Sequence, residues 1–340
     1  MARVALLCNL IRPELLHDGP LDLVAELDSE ETLAAVEAAL RDGGHEVIRV
    51  EADRHVATTL VAAAADCVFN IAERITGCAS DSRESLVPAL CELLGLPYTG
   101  SGVLATALCL DKPLTKRLLR AQGIATPAFQ VFEQSDEVLS PALRYPLIVK
   151  LAREGSSMGL SAASVVDDEA ALRQQLGQLI AAYRGPVLVE EFIEGREFTV
   201  GLLGNAVLEV LPIVEVVFDE LRGINLFDPD APVRAMALAA GLALPESGGG
   251  HASVCPAAID ETLATRIRDT ACRAFHALGC RDWCRIDLRL GAAGELHVLE
   301  LNPIAGIDPS YLLPRAAAAA GYSYAALVNR ILDLALARRP

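Results

Sequence analysis

The sequence predicts an α/β protein with a parallel sheet near its amino terminus and α+β structure in the later part of the chain. Over the first 100 residues, short apolar runs alternate with helical segments, which is the pattern of a parallel sheet covered by helices. After Asp111 the pattern becomes mixed. The chain has 340 residues, of which 52% are apolar, enough for the cores of two or three domains.

Three strands and three helices are predicted in the amino-terminal part, the third helix following Pro97-Tyr98-Thr99-Gly100-Ser101. The strands cover residues 4–8, 46–50 and 67–71. A helix is expected over residues 30–41, because Ser29 is a preferred N-cap residue and Gly43-Gly44 ends the helix. Residues 83–94 form the second helix. The result is a Rossmann-like domain, although no GxGxxG motif follows its first strand.

The later elements follow from similar signals. A helix spans residues 112–122, strands cover residues 128–132, 146–150, 187–193 and 196–203, and a helix over residues 260–278 and a helix pair after Pro314 complete the chain. Lys150 ends a buried strand directly before the Gly/Ser loop 153–159. Amides and hydroxyls in such a loop are suited to phosphate oxygens.

The most informative pattern is a set of polar side chains on two apolar strands near the carboxy terminus. Arg285 and Asp287 face the same side of one strand, as do Glu300 and Asn302 on the next, because side chains alternate along a strand. Mg²⁺ prefers such hard oxygen ligands together with nucleotide phosphates. The pattern predicts a phosphoryl-chemistry site; the alternative is that these residues are solvated strand ends.

Composition excludes several classes of partner. The net charge is −16 and the pI is near 4.8, so the surface would repel nucleic acid and anionic membranes. No uncharged apolar run reaches the roughly 18 to 20 residues of a spanning helix. The nine cysteines lack metal-type spacing, so we expect them to be reduced. The first strand is too short for a signal peptide, and we expect a cytoplasmic protein.

Five short motifs, taken in order, resemble those of the ATP-grasp ligases of the D-alanine–D-alanine ligase type. They are Asp111-Lys112, Ile148-Val149-Lys150 with Arg153-Glu154-Gly155-Ser156-Ser157, Val189-Glu190-Glu191-Phe192, Gly195-Arg196-Glu197-Phe198-Thr199-Val200, and Arg285-Ile286-Asp287 with Leu299-Glu300-Leu301-Asn302. The similarity runs from about Val68 to the carboxy terminus. It implies an ATP-grasp architecture with a Rossmann-like substrate domain (1–110), a lid domain (111–200) and a catalytic domain (201–340). It also implies a homodimer.

The resemblance further implies binding of ATP and of two Mg²⁺ ions, or of Mn²⁺ in their place. The residues implied are Lys112 and Lys150 for the phosphates, Ser156 and Ser157 for a loop closing over the γ-phosphate, Glu190, Glu191, Phe192 and Ile193 for the adenine, Glu197 for the ribose, and Asp287, Glu300 and Asn302 for the ions. ATP would convert a carboxylate to an acyl phosphate, which an amine would then capture. The catalytic residues implied are Arg285, the amide of Gly306, and Ser156, and both substrates would be small and amino-acid-like.

Departures from the family pattern fall at the substrate contacts. The family's amino-terminal acid segment does not match here, and Glu26 and Glu30 are the alternatives for that acid. Glu73 stands where the family has a histidine, either as an ammonium contact or as a solvated acid. Ser310-Tyr311 replaces a His-Ser pair that grips the acceptor. The segment between residues 215 and 255 is longer than in the family, with an alanine-rich helix, and its His251 is either a substrate contact or a loop histidine.

We therefore interpret the chain as an ATP-dependent carboxylate–amine ligase of specialised metabolism, whose substrates are not two D-alanines. The main alternative is a D-alanine–D-alanine ligase of cell-wall synthesis. Two alternatives come from other classes: a kinase that stops after phosphoryl transfer, and a non-catalytic ATP-binding regulatory protein. Arg285 beside a complete metal set disfavours the regulatory protein, because binding alone does not require that guanidinium.

Overall fold

The computed structural model describes residues 1–12, 20–78, 80–218, 223–224, 226 and 251–338. Strands within these residues form three sheets, one parallel and two antiparallel. Helices pack against each of them. The α/β class predicted from the sequence is confirmed.

The first sheet is parallel and has the strand order β2-β1-β3. Its strands are β1 (Arg3–Cys8), β2 (Glu46–Glu51) and β3 (Cys67–Asn70). Helix α1 (Glu30–Asp42) covers one face, and α2 (Val56–Ala63) and α3 (Leu86–Leu94) cover the other. Val4 and Leu7 of β1 are therefore fully buried, as expected for the central strand of a covered parallel sheet. α1 begins as predicted, because Ser29 Oγ accepts a 3.1 Å hydrogen bond from the Thr32 amide.

Two local corrections apply to this part. The sequence does not predict α2, whose N-cap residue His55 makes no side-chain capping hydrogen bond. The single helix predicted over residues 83–94 is divided into a 3₁₀ turn at Arg83–Ser85 and α3. The reason is Pro88, which has no amide hydrogen to donate to the carbonyl of Glu84, so the α-helical pattern cannot extend back to it.

The second sheet is antiparallel, in the order β4-β7-β5-β6. Its strands are β4 (Phe129–Phe132), β5 (Leu147–Leu151), β6 (Val165–Val166) and β7 (Val187–Glu191). Helix α6 (Glu169–Tyr183) packs against the buried face, which includes Val149 and Leu151. Lys150, between these two residues, therefore points to the opposite face. β7 ends two residues earlier than predicted.

The third sheet has the order β11-β10-β8-β12-β13, with β9 paired to β8. Its strands are β8 (Gly195–Gly204), β9 (Leu208–Val210), β10 (Val214–Phe218), β11 (His251–Val254), β12 (Asp282–Gly291) and β13 (Leu296–Asn302). Helices α4 (Val103–Leu110), α5 (Lys112–Ala121) and α7 (Glu261–Leu278) contribute Cys109, Leu119 and Phe275 to its core. The opposite face of β12 is left for polar residues.

The last two helices, α8 (Leu312–Ala319) and α9 (Tyr324–Ala337), pack on the first sheet. Leu313 and Val328 share one core with Leu6 and Leu33, so the two ends of the chain are joined by hydrophobic burial. α8 begins before Pro314 and not after it as predicted, because proline is tolerated in the first turn of a helix. The domain boundaries at 110 and 200 stay a prediction.

The alanine-rich helix predicted before Gly248 lies outside the described residues, as does the side chain of His251. Of the helices that are described, none combines the length and apolar character needed to cross a membrane.

Asp282 ties β12 to the carboxy-terminal helix, and its loss should destabilise the fold. Its buried carboxylate accepts from Arg338 Nη2 at 2.6 Å and from the Gly100 amide at 2.8 Å. We expect Asp282→Ala to lower the free energy of unfolding by about 2–3 kcal/mol, since it leaves a largely buried guanidinium unpaired. Urea denaturation measures the change. Asp282→Asn is the control; it keeps an acceptor for Gly100 and should cost less. A loss below about 0.5 kcal/mol for the alanine variant would contradict this account.

Candidate active site

A cavity of about 550 Å³ is lined by residues of the second and third sheets and by segments that follow strands of the first sheet. It contains every predicted site residue with one exception among the described side chains. The exception is Glu30, which lies on the exposed side of α1 and forms an ion pair of 2.5 Å with Arg49. Glu30 is therefore removed from the set of substrate residues, and Glu26 is retained.

Two lysines enter the cavity from different elements. Lys112 is the first residue of α5, and Asp111 caps that helix by accepting from the Leu114 amide at 2.9 Å. Lys150 projects from β5. Lys112 Nζ lies 3.4 Å from Glu300 Oε2 on β13, which brings the predicted phosphate and metal residues together.

Lys150 belongs to a buried ion triad that sequence reasoning did not predict. Glu190 Oε1 lies 2.5 Å from Lys150 Nζ, and Glu190 Oε2 lies 2.7 Å from Lys116 Nζ. Although burial opposes ionisation, the two lysines hold the pKa of Glu190 below its usual value. Burial also lowers the pKa of Lys116 to about 8, despite the charge of Glu190. The triad fixes Lys150 and Glu190 at the floor of the cavity.

The predicted metal residues lie on adjacent strands. The register pairs Asp287 with Glu300 and Arg285 with Asn302. Arg285 Nη2 donates to Asp287 Oδ2 at 2.9 Å, and Asn302 Nδ2 donates to the same oxygen at 3.0 Å. A register shift after Asp287 locally disrupts the pairing, as bulges near active sites do. The hairpin therefore presents four polar side chains to one cavity, as predicted.

Three cations hold the Glu300 carboxylate in its charged form. Burial alone would disfavour its charge, but Lys112, Lys150 and Arg285 outweigh that effect and lower the pKa of Glu300 to about 2. The carboxylate is thus an anionic oxygen ligand at neutral pH. It is half-enclosed, with its side chain 28% exposed, so an ion can reach it.

The segment after β7 offers backbone donors. The amide of Glu191 donates to Ala128 O at 2.9 Å, and that of Phe192 donates to Pro146 O at 2.9 Å. The amide of Ile193 donates to no group in the described part of the chain. It is therefore available to a ligand at the position where the resemblance implies the adenine.

Glu197 and Arg289 form the neighbouring wall. Arg289 Nε donates to Glu197 Oε2 at 3.0 Å, and its guanidinium stacks 4.6 Å from the centre of the Phe192 ring. Burial raises the pKa of Glu197 to about 7, and the charge of Arg289 only partly offsets this effect. Arg289 was not predicted, although its spacing of two residues from Asp287 puts it on the same strand face.

The loop 153–159 approaches the same cavity from the second sheet. Ser156 and Ser157 adopt left-handed φ values of 49° and 59°, which aim successive amides in one direction. Two contacts from the amino-terminal part hold the loop: Gly159 N donates to Asp22 Oδ2 at 2.7 Å, and Glu154 pairs with Arg83 at 2.7 Å. These contacts position the loop beside Lys112, which donates to the Glu154 carbonyl.

The segment after Asn302 closes the other side. A Cβ on Gly306 would lie 2.3 Å from the ring of Tyr311, so a larger residue at 306 would displace that ring. The Ser310 hydroxyl donates to Asp308 Oδ1 at 2.5 Å, and Tyr311 is 51% exposed. Ser310 and Tyr311 are both lining residues, as predicted, but the serine is already held by Asp308.

The remaining predicted residues, Glu26 and Glu73, lie beside a third acid that sequence reasoning missed, Glu84. Carboxylate oxygens of the three lie within 4.8 Å of one another. Glu26 is bound by Arg74 at 2.7 Å and by Arg83 at 2.9 Å. Burial opposes the charge of Glu26, yet the two guanidiniums hold its pKa below the usual value.

Comparison with known proteins places this geometry in a family. The family model described as "D-ala D-ala ligase C-terminus" matches residues 118–333. A D-alanine–D-alanine ligase of Syntrophotalea carbinolica is 36% identical over 307 residues, covering 90% of each chain. The uncharacterized protein y4sG of Sinorhizobium fredii is 39% identical over 312 residues, covering 88% of this chain and 86% of that protein.

The fold agrees with a solved structure as well. The D-alanine–D-alanine ligase of Bacillus anthracis, solved in complex with ATP, superposes with a TM-score of 0.74 at 21% identity, covering 99% of this chain and 98% of that one. The ATP-grasp architecture predicted from the sequence is thereby confirmed. The chain belongs to the D-alanine–D-alanine ligase family, whose members are ATP-dependent, ADP-forming carbon–nitrogen ligases.

Proposed function

We propose that the chain uses ATP to join the carboxylate of one amino-acid-like substrate to the amine of another. The convergence of Lys112, Lys150, Asp287 and Glu300 on one cavity carries this proposal. D-alanine is the first substrate to test at both positions, because relatives at 36% and 34% identity are named D-alanine–D-alanine ligases. The comparisons thus favour the cell-wall alternative over the specialised-metabolism interpretation. Homodimerisation stays a prediction.

Lys112 and Lys150 are the proposed phosphate contacts. A chain with a net charge of −16 repels a nucleotide tetra-anion unless cations are concentrated where the phosphates bind. The loop amides of Ser156 and Ser157 add donors beside them. At the opposite end of the nucleotide, the amide of Ile193, which donates to no described residue, suits the edge of the base. The carboxylate of Glu197 suits the ribose hydroxyls.

Asp287, Glu300 and Asn302 fit a magnesium site by their chemistry, since all three offer hard oxygen atoms on one side of the β12–β13 hairpin. Magnesium, when bound there, supplies positive charge that stabilises the transferring phosphoryl group; manganese takes the same ligands. The chain holds these oxygens in place with its own cations. Lys112 neighbours Glu300, and Arg285 neighbours Asp287.

The proposed reaction takes place in two steps. The carboxylate oxygen of the first substrate attacks the γ-phosphorus, giving an acyl phosphate and ADP. The neutral amine of the second substrate then adds to the acyl carbon and forms a tetrahedral oxyanion. The oxyanion collapses as the carbon–oxygen bond to phosphate breaks, and the proton that the amine loses leaves with the phosphate. The closed loop around Ser156 keeps water from the acyl phosphate, which it would otherwise hydrolyse.

Two unused donors suit the oxyanion that forms in the second step. Arg285 binds Asp287 through Nε and Nη2, whereas its Nη1 donates to nothing in the described part of the chain. The amide of Gly306 is likewise without an acceptor among the described residues. Hydrogen-bond donors that are already in place before the negative charge develops usually make the largest single contribution to this kind of catalysis.

Glu300→Gln should abolish magnesium-dependent turnover while leaving the fold intact. The substitution keeps the side-chain volume but removes the charge that the three cations stabilise, and we expect a loss of at least about 100-fold. ADP release measures it. Glu295→Gln, an exposed site on the same hairpin, is the matched control. Near-normal turnover in the Glu300 variant would remove the metal assignment.

Arg285→Ala should lower kcat by about 100- to 1000-fold, the usual cost of one oxyanion donor. KM should change less, because the group acts on the transition state. Steady-state phosphate release gives both constants. Arg266→Ala, at an exposed arginine that among the described residues binds only the Gly294 carbonyl, should be neutral. An effect on KM alone would show that Arg285 binds substrate and does not act in the chemical step.

Release of ADP should require both an acid and an amine. Phosphate release with D-alanine and with pairs of amino acids, followed by mass spectrometry of the product, tests this requirement. A new amide in the product supports the ligase. ADP release that depends on one substrate only would identify a kinase, and ATP binding without any release would identify a regulatory protein.

A further inference from the structure

The acid cluster beside the cavity holds more carboxyl groups than form ion pairs with cations of the described residues. We define it as Glu26, Glu73 and Glu84, whose carboxylate oxygens lie within 4.8 Å of one another and which all line the cavity. Glu154 stands next to it and shares Arg83 with Glu26. Four carboxylates therefore meet in one place.

The two guanidiniums at this position are already in use. Arg74 Nη2 donates to Glu26 Oε2 at 2.7 Å and to the Leu23 carbonyl at 3.1 Å. Arg83 donates to Glu26 through Nε at 2.9 Å and pairs with Glu154 at 2.7 Å. Both positive charges are thus taken up by Glu26 and Glu154.

Glu84 and Glu73 form no ion pair within the described part of the chain. Glu84 is only 7% exposed, and neither it nor Glu73 has a hydrogen-bond or ion-pair partner among the described residues. A buried carboxylate with no partner is costly. Burial, and then the charge of Glu26, raises the pKa of Glu84 to about 8. A carboxyl group in such surroundings is expected where a ligand supplies the positive charge that stabilises its ionised form.

The acid cluster lies close to the reacting groups. A Cβ on Gly155, in the loop before Ser156, would be 3.6 Å from Glu26 Oε1. The charge of Lys112 also acts on Glu84. A substrate that reaches the phosphate loop can therefore extend a side chain to the acid cluster.

We infer that Glu73 and Glu84 bind a second cationic group on one of the two amino-acid-like substrates. This inference rests on the proposed ligase function and narrows its substrate class to dibasic amino acids. The ammonium that every amino acid carries compensates one carboxylate, and a second cation on the side chain compensates the other. A divalent metal fits less well, because the oxygens of Glu26 already accept from two guanidiniums.

Matched pairs of amino acids test the inference in the wild-type enzyme. Lysine against norleucine, and ornithine against norvaline, differ by one terminal amine at equal chain length; arginine tests a guanidinium. Each is supplied in both chiral forms with ATP, Mg²⁺ and D-alanine as partner. We expect kcat/KM to be at least about ten-fold higher for the dibasic member, the effect of one charged hydrogen bond in a buried site.

Variants then locate the effect. Glu84→Gln should reduce the ratio of dibasic to neutral kcat/KM toward one, and Glu73→Gln should do the same. Glu31→Gln removes the same charge from an exposed site on α1 and should leave the ratio unchanged. Calorimetric titration of the enzyme with lysine and with norleucine, without ATP, compares the binding of the two amino acids independently of turnover. If the variants do not fold, the wild-type ratios and titrations decide the question.

The outcomes separate the inference from the proposed function. Robust ligation with equal kcat/KM for both members of each pair overturns the inference and leaves the ligase in place. Binding of Ca²⁺ or Mg²⁺ that Glu84→Gln abolishes, without a dibasic preference, overturns it in favour of a metal site. Failure of every amino-acid pair to give amine-dependent product overturns the proposed function itself.

Discussion

The candidate active site depends on the pairing of β12 with β13, which places Asp287 opposite Glu300. A slip of β13 by one residue would turn Glu300 to the other face of the sheet, away from Asp287. Burial prevents that slip, since Ile286, Leu288 and Leu301 alternate with the polar side chains and lie in the core beneath them. The position of the proposed catalytic groups therefore follows from the same hydrophobic pattern that folds the hairpin.

Charge pairing explains how an acidic chain keeps buried lysines at this site. Lys116 and Lys150 flank Glu190, and Lys112 lies beside Glu300. A buried ammonium without a counter-charge would cost several kcal/mol, and it would lose its proton more readily. In the proposed enzyme the lysines that face the cavity can bind phosphate oxygens, while Lys116, fully buried, keeps Glu190 in place.

Local patterns in the sequence predict the parallel sheet, the start of α1 and the residues of the hairpin, because these depend on alternation and capping within a few positions. They do not predict β6, β9, β10 and β11, which are short strands of two to five residues. Long-range partners were not predictable in this way. Lys116 acquires its role from Glu190 on another element, and Glu84 from its neighbours Glu26 and Glu73. Glu30 was offered as a substrate contact but lies outside the cavity. The sequence does not show which side of α1 faces the cavity.

A crystal structure with Mg²⁺ and a non-hydrolysable ATP analogue tests the central claim most directly. The account predicts that the phosphates lie between Lys112 and Lys150, with metal ions on Asp287 and Glu300 and the base beside the amide of Ile193. A nucleotide bound elsewhere, or phosphates that touch neither lysine, would contradict it.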